Sequence, residues 1–418
     1  MEQHSLRHHP GAIVLCFRIC AWGKACRFAE RSVVFLGSFA LAAAASRRAP
    51  WFCVPLLAIV AYGWTFHIGF SNYYLSLALA FWGIAFFWRA SLWFLPLAIP
   101  FGALIYLAHP FGVIWFFGAV LFINISRLFP GWAKVIPAIL GLGLVFAARL
   151  YLQRHYSLEF SKPLYLVNGI DQLILSLRFR LLAKCLLSFG AGVFLLDILL
   201  SRKEVSLWSR LASPISLYVI SLGAVLLLPD AIYLPQHALP FGFITMRLTS
   251  ICAVAAISAL AMMAPRIWHA MAFTLAAAFF FSFLWQDTSQ ISALETQAEQ
   301  LIAQIPPNQR VIATIRPFPG SRFYFLNPMV DRVCIEKCFS YSNSEPSSGQ
   351  FRVRVRPGSP IVASSPLTAD RMQTGNYIVQ TSDLPLYEID QCTADLAKLC
   401  IRELKAGELN SRPTAPAR

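Results

Sequence analysis

The sequence predicts an all-α polytopic membrane bundle followed by a small C-terminal α/β domain, and three observations carry that prediction. Hydrophobic residues fill 57% of the 418 positions and charged residues only 13%, against about 25% charged in soluble domains. Charge is divided unevenly: residues 1–284 hold 21 Lys and Arg against 7 Asp and Glu, whereas residues 285–418 hold 14 against 13. Long apolar runs crowd the first part and stop near Trp285. The net charge of +15 does not point to nucleic acid. The basic residues of the first part sit in short gaps between apolar runs, which is the pattern of membrane-flanking anchors.

Residues 1–32 form a lead segment. Its Arg18, Lys24, Arg27 and Arg31 resist crossing a membrane. Either residues 12–22 dip into the interface, or the chain is the later part of a longer protein. No cleavable signal peptide is evident, because neither a long apolar h-region nor a cleavage site follows residues 1–11. A spanning helix needs about 17 to 25 mostly apolar residues. About ten segments approach that length within a bundle of 33–284, at 33–45, 51–65, 73–88, 92–108, 111–125, 132–148, 181–200, 212–228, 248–264 and 267–284.

Orientation follows from the short loops. Arg47, Arg48, Arg89, Arg127, Lys134, Arg202, Lys203, Arg210 and Arg266 occupy every second gap, and the excess of basic residues in cytoplasmic loops assigns those gaps to the inside. The opposite gaps are 67–72, 109–110, 150–180 and 230–247. The C-terminal domain, 285–409, falls on their side, so a multi-pass protein of a bacterial cytoplasmic (inner) membrane with an extracytoplasmic, periplasmic C-terminus is expected. In that domain "SQISALETQAEQLIAQI" carries apolar residues at helical spacing and ends at Pro306 and Pro307, which cannot continue a helix. The runs "RVIATI", "RFYF", "FRVRVR" and "YIVQ" read as strands between Pro, Gly, Ser and Asn clusters. A last helix over 393–409 and a disordered tail over 410–418 complete the expectation.

Few residues of the bundle can do chemistry. Of the seven acids in residues 1–284, Glu159, Asp171 and Asp230 fall in the outer gaps, which makes them the candidate carboxylates. "HIGFSNYYLSLALAFW" places His67, Asn72, Tyr73 and Tyr74 at the mouth of an apolar run. An interfacial belt explains the tyrosines through their amphipathic rings but gives no use for His67 beside Asn72. The outer loop 150–180 brings Arg154, His155, Glu159, Lys162 and Asp171, enough to hold a phosphate near an acid; a solvated surface loop is the other reading. The next outer loop carries Asp230, Gln236, His237 and Arg247. Arg247 enters a helix, where it either snorkels or pairs with a phosphate through its planar fork. His109 sits in a two-residue turn, the place of a capping or interfacial histidine. The substrate or lipid-phosphate set is therefore His67, Asn72, Tyr73, His109, Arg154, His155, Lys162 and Arg247.

No zinc spacing completes a ligand set. No cofactor is implied, and a divalent cation has no ligand motif. GxSxG, GxGxxG, P-loop and HExxH motifs do not occur. Cys334, Cys338, Cys392 and Cys400 read as two structural disulfides in an oxidising compartment, with three connectivities open.

Several stretches resemble bacterial GT-C glycosyltransferases, polytopic enzymes that take a sugar from a polyprenyl-phosphate donor outside the cytoplasmic membrane. "FHIGFSNYYLSLALAFW" is similar to the histidine and asparagine–tyrosine mouth of uncharacterised members. "LPFGFITMRLTS" is similar to their late arginine-bearing helix, and "ALETQAEQLIAQIPPNQRVIATI" to the start of their small C-terminal domain. "DRVCIEKCFSYSNSEPSSGQFRVR" resembles the tail of uncharacterised acidobacterial membrane proteins. The resemblance spans about residues 51–379. It implies inverting transfer from a lipid-linked sugar, with membrane lipid and a polyprenyl-phosphate-linked sugar as partners. It also implies an acid in the first outer loop, for which residues 1–32 offer only Glu2 and Glu30. A transferase incomplete at its N-terminus, or a relative without the usual acid, is expected. A transporter or flippase of a lipid-linked substrate and a non-catalytic membrane assembly protein are the rivals.

Overall fold

The computed structural model describes residues 30–160, 167–200, 205–235, 240–264, 266–316, 321–322, 326–343, 356, 358–392, 395 and 397–410. Helix α1 covers residues 30–46 and stops at Arg47, which takes a left-handed conformation (φ 57°). The next expected segment is two helices, α2 (Val54–Ala61) and α3 (Trp64–His67), parted where Gly63 turns extended. The break has a local cause. The Thr65 N–H, one of the unpaired donors of a helix start, is taken by the side-chain oxygen of Gln172 at 3.0 Å.

Helices α4 (Ser71–Phe87), α5 (Ala98–Ala108) and α6 (Pro110–Ser126) pack together. Pro110 opens α6 where its missing N–H costs nothing. After α7 (Val135–His155) and strand β1 (Ser157–Glu159) come α8 (Leu177–Leu200), α9 (Val205–Leu227), strand β2 (Ala231–Tyr233) and α10 (Ile244–Leu260). One continuous apolar core joins these helices, with Phe81, Phe87, Phe116, Phe179 and Phe280 all fully buried.

The count of spans needs correction. Among the described residues three helices are long and apolar enough to cross a membrane, Val135–His155, Leu177–Leu199 and Ile267–Ile302; the other apolar helical stretches, Leu211–Leu227 within α9 among them, have 10–17 residues. At 1.5 Å per residue the longest of these reach about 25 Å, short of a hydrocarbon core of about 30 Å. Proline-led 3-10 turns and the Gly63 break divide what reads in the sequence as full-length runs. The long helices lie at the outside: Ile139, Leu140 and Leu144 of α7 are 61–69% exposed, an apolar surface far beyond what a water-soluble exterior carries.

Helix α11 (Ile267–Ile302) differs most from expectation. It runs 36 residues without interruption, so the composition boundary at Trp285 falls inside a helix. Its last turns enter the C-terminal domain, where Leu294, Ala298 and Ile302 pack under a four-stranded sheet of order β4-β3-β5-β6. The strands are β3 (Gln309–Ala313), β4 (Cys338–Ser340), β5 (Leu386–Gln391) and β6 (Leu399–Glu403). Strands β3–β4 and β3–β5 are parallel, and β5–β6 antiparallel. Alternation along β3 sends Val311 and Ala313 to the face covered by α11 and α12 (Asn327–Val333), and Ile312 to the face covered by α13 (Pro366–Thr374), as a strand with both faces buried requires.

The small domain corrects several sequence readings. The helix expected over 393–409 is instead built around β6, because Leu399 and Ile401 face one core while Arg402 turns to the other side, a period of two. "YIVQ" forms no strand; Ile378 makes only an isolated bridge to Leu409. Within "RFYF" and "FRVRVR", residues 323–325 and 351–355 lie outside the described residues. Asn410, expected to begin a disordered tail, is fully buried and donates to the Met372 carbonyl at 2.7 Å. The cysteines pair as neighbours, Cys334 with Cys338 and Cys392 with Cys400.

Candidate functional site

The outer gaps of the sequence converge at one end of the bundle. Strands β1 and β2 pair antiparallel across that end, joining the α7–α8 and α9–α10 connections, and Phe241 bridges to Ile232. The Asp230 N–H donates to the Glu159 carbonyl at 2.8 Å, and the Asp230 carbonyl accepts from Ile244 N–H at 3.1 Å. This small sheet therefore sits directly on the start of α10, one turn before Arg247.

Arg247 is 8% exposed, and its guanidinium lies over the ring of Phe70 at 4.2 Å, Phe241 at 5.5 Å and Tyr73 at 5.9 Å. Its Nε and Nη1 are buried with no hydrogen-bond partner among the described residues. The aromatic faces supply some attraction for the cation, but they accept no N–H in the plane of the fork. Such a group is costly to bury unless something else completes it. Tyr73 is fixed beside it, donating its hydroxyl to the Arg247 carbonyl at 2.8 Å. The ring of His109 meets Tyr73 edge-on at 5.6 Å. His109 caps α6, its Nδ1 accepting from the Phe111 N–H at 3.1 Å, so in the neutral ring Nε2 carries the hydrogen and remains a donor.

The other members of the expected set scatter. His67 packs on the neighbouring Phe66 ring at 5.4 Å, whose face is covered by Arg31, and Asn72 is exposed. Arg154 is exposed, and His155 is stacked on Tyr151 at 4.2 Å. Glu159 accepts from the Tyr233 hydroxyl at 2.9 Å on the outside of the small sheet. Lys162, Gln236 and His237 lie outside the described residues. Asp230 is buried.

Asp171 has a different place. Residues 167–176 fold back between the helices. Gly169, at φ 102°, lies so close to α10 that a Cβ there would sit 2.7 Å from the Ala253 Cα, so only glycine fits by both conformation and space. Asp171 accepts from the Gly169 N–H at 3.1 Å and from the Thr249 hydroxyl at 2.7 Å. Gln172 donates to Thr249 Oγ1 at 2.7 Å and accepts from Thr65. From the C-terminal domain Arg322 donates to the carbonyls of Asp171 (2.6 Å) and Ile174 (3.1 Å) and lies over the Trp64 ring at 4.8 Å. Nearby Arg178 pairs with Asp287 at 3.1 Å. The segment is thus pinned from both sides. Beneath it lies an apolar cavity of about 370 Å³ walled by Leu56, Ile59, Gly169, Leu187, Tyr218 and Ala256 among others.

Sequence reasoning missed Phe70, Phe241, Gln172, Thr249 and Arg322. The aromatics looked like ordinary apolar filling, and the only available signal was the glycine in "VNGIDQ". No group of three or more His, Cys, Asp or Glu converges among the described residues. No protein-family model, curated protein or solved structure matches the chain.

Proposed function

We propose that this chain is an integral membrane GT-C-like glycosyltransferase, or a remnant of one, that holds a polyprenyl-phosphate-linked sugar at the Arg247 end of its bundle. The observation that carries the reading is Arg247 itself: a buried guanidinium, caged by three rings, whose Nε and Nη1 lack acceptors among the described residues. A phosphate oxygen pair completes that fork, and His109 Nε2 offers a third donor from the neighbouring helix. The apolar cavity beside α10 accommodates part of a hydrocarbon chain. In this reading the end carrying Arg247 and the C-terminal domain faces away from the cytoplasm.

The chemistry is an inverting displacement. An acceptor hydroxyl gives its proton to a carboxylate as its oxygen bonds to the anomeric carbon, and the lipid phosphate departs with the bonding electrons, stabilised by Arg247. Asp230 is the carboxylate we assign, because it is buried at the mouth of α10, where its backbone carbonyl accepts from Ile244 N–H one turn before Arg247. Purified protein in nanodiscs should bind decaprenyl phosphate, and Arg247→Ala should weaken that binding roughly tenfold or more. Asp230→Asn should retain binding while abolishing sugar transfer. Equal binding by wild type and Arg247→Ala would sink the site.

A flippase is the second reading, favoured by the 167–176 segment that folds back among the helices, a discontinuity common where transporters bind substrate. Lipid binding that depends on Arg247, with no transfer at any acceptor and vesicle translocation of the lipid, would select it.

A further inference from the structure

The bundle has a second cluster of cations at its other end. From Arg247 to Ala261, α10 rises about 21 Å, and there Arg48 donates to the Ala261 carbonyl at 3.3 Å. Beside it is a cavity of about 570 Å³ whose polar lining is Arg47, Arg89, Arg127, Lys134, Ser126 and Ser213. Among the described residues no Asp or Glu lines it.

Two of the four cations are held in fixed orientations. Arg89 donates to the carbonyls of Ala43 (2.7 Å) and Ala44 (3.4 Å). Arg127 donates to Phe87 and Ala90, both at 2.8 Å, and to the Asn124 side chain at 3.0 Å. Those bonds occupy one edge of each fork and leave other N–H groups of a five-donor group available. A basic rim alone is what any inner loop carries. Ser126 is the independent observation: it is 1% exposed, it lines this cavity, and its Oγ has no hydrogen-bond partner among the described residues. A buried hydroxyl without a partner beneath converging cations is a donor awaiting an acceptor that carries negative charge.

We infer that this cavity binds a phosphate group, with Ser126 donating from below and Arg47, Arg89, Arg127 and Lys134 closing around its oxygens. The phosphate belongs either to an anionic phospholipid headgroup or to a free phosphate; Trp88, Ala44 and Ile123 in the wall tolerate the glycerol of the former.

The test uses the full chain in detergent micelles, with native mass spectrometry reading retained dioleoylphosphatidylglycerol against dioleoylphosphatidylcholine. Wild type should retain the anionic lipid roughly tenfold better, as expected for charge-assisted contacts. The double variant Arg47→Gln/Lys134→Gln should lose that preference, and Ser126→Ala should reduce it while leaving all four charges in place. Arg247→Ala should keep it, separating this site from the other end. Displacement of the lipid by millimolar inorganic phosphate assigns a free phosphate as the source, and resistance to displacement assigns the headgroup. Equal retention of both lipids by wild type with no response to phosphate would overturn the inference. So would an unchanged preference in both the double variant and Ser126→Ala.

Discussion

The two ends of the bundle employ arginine in opposite ways. At one end Arg48, Arg89 and Arg127 each donate to carbonyls at the close of another helix, ending α10, α1 and α4 respectively. At the other end Arg322 donates to the carbonyls of the folded-back segment, and Arg247 donates its side chain to nothing among the described residues. The same cation thus serves as a helix cap, a clasp between parts of the chain, or an unfinished contact. A cap or a clasp fills one edge of the fork and leaves the rest of the five donors available, whereas Arg247 has its buried Nε and Nη1 both unfilled among the described residues.

Four substitutions can break or sharpen that contrast. Arg322→Ala should have the largest effect on stability, about 2 to 4 kcal/mol, because it takes the charged donor from the Ile174 carbonyl, leaves the Asp171 carbonyl with the Ile174 N–H alone, and uncovers Trp64. Thermal unfolding in detergent measures it, and a change under about 0.5 kcal/mol would mean that the clasp is superficial. Arg127→Ala should cost about 1 to 2 kcal/mol through the lost cap on α4, visible in the same melt. Arg247→Ala should leave stability nearly unchanged or raise it, since removing an incompletely paired buried charge relieves desolvation. A loss as large as that of Arg322→Ala would reassign Arg247 to the scaffold.

The smallest effect concerns the C-terminal domain, where a carboxylate does the gathering. Asp383 accepts from the hydroxyls of Tyr341 and Tyr377, each at 2.8 Å, and from the Gln380 N–H at 2.8 Å. Burial first, and then the Asp383 hydrogen bond and charge, push the Tyr341 phenol up to about 12. A phenol raised in the fold stabilises fully below its unfolded value of about 10, and that stability is lost as pH rises through about 12. Asp383→Asn removes the carboxylate's share, so tyrosinate absorbance of the folded protein should appear at lower pH than in wild type. Identical titrations would remove Asp383 as a cause.

Much of the bundle was legible because hydropathic runs report burial or lipid contact directly. The expected segments 73–88 and 111–125 nearly coincide with α4 and α6. Span number was not legible, since an apolar run looks the same whether it is one long helix or a short helix with a 3-10 lead. The continuity of α11 was hidden by the change in composition at Trp285, where the surroundings change but the backbone does not. At the site, Arg247, Tyr73 and His109 were readable as polar residues in apolar surroundings. Phe70 and Phe241 were not, because a ring that faces a guanidinium is spelled like one that fills a core. The burial of the segment 167–176 was not legible, because it depends on Thr65, Thr249 and Arg322, partners from three distant parts of the chain.

Helix α11 also has a mechanical consequence. It extends about 54 Å and contains neither glycine nor proline between Ile267 and Ile302, the residues at which helices bend sharply. Its first turn is tied to α8 by the Arg266–Asp197 pair, and its last turns lie in the core of the C-terminal domain. With Arg322 as a second strut, the domain and the bundle are braced like a mast and its stay. A torque applied to the domain by anything that grips it would therefore arrive at Arg266 as a tilt, instead of being absorbed at a hinge on the way.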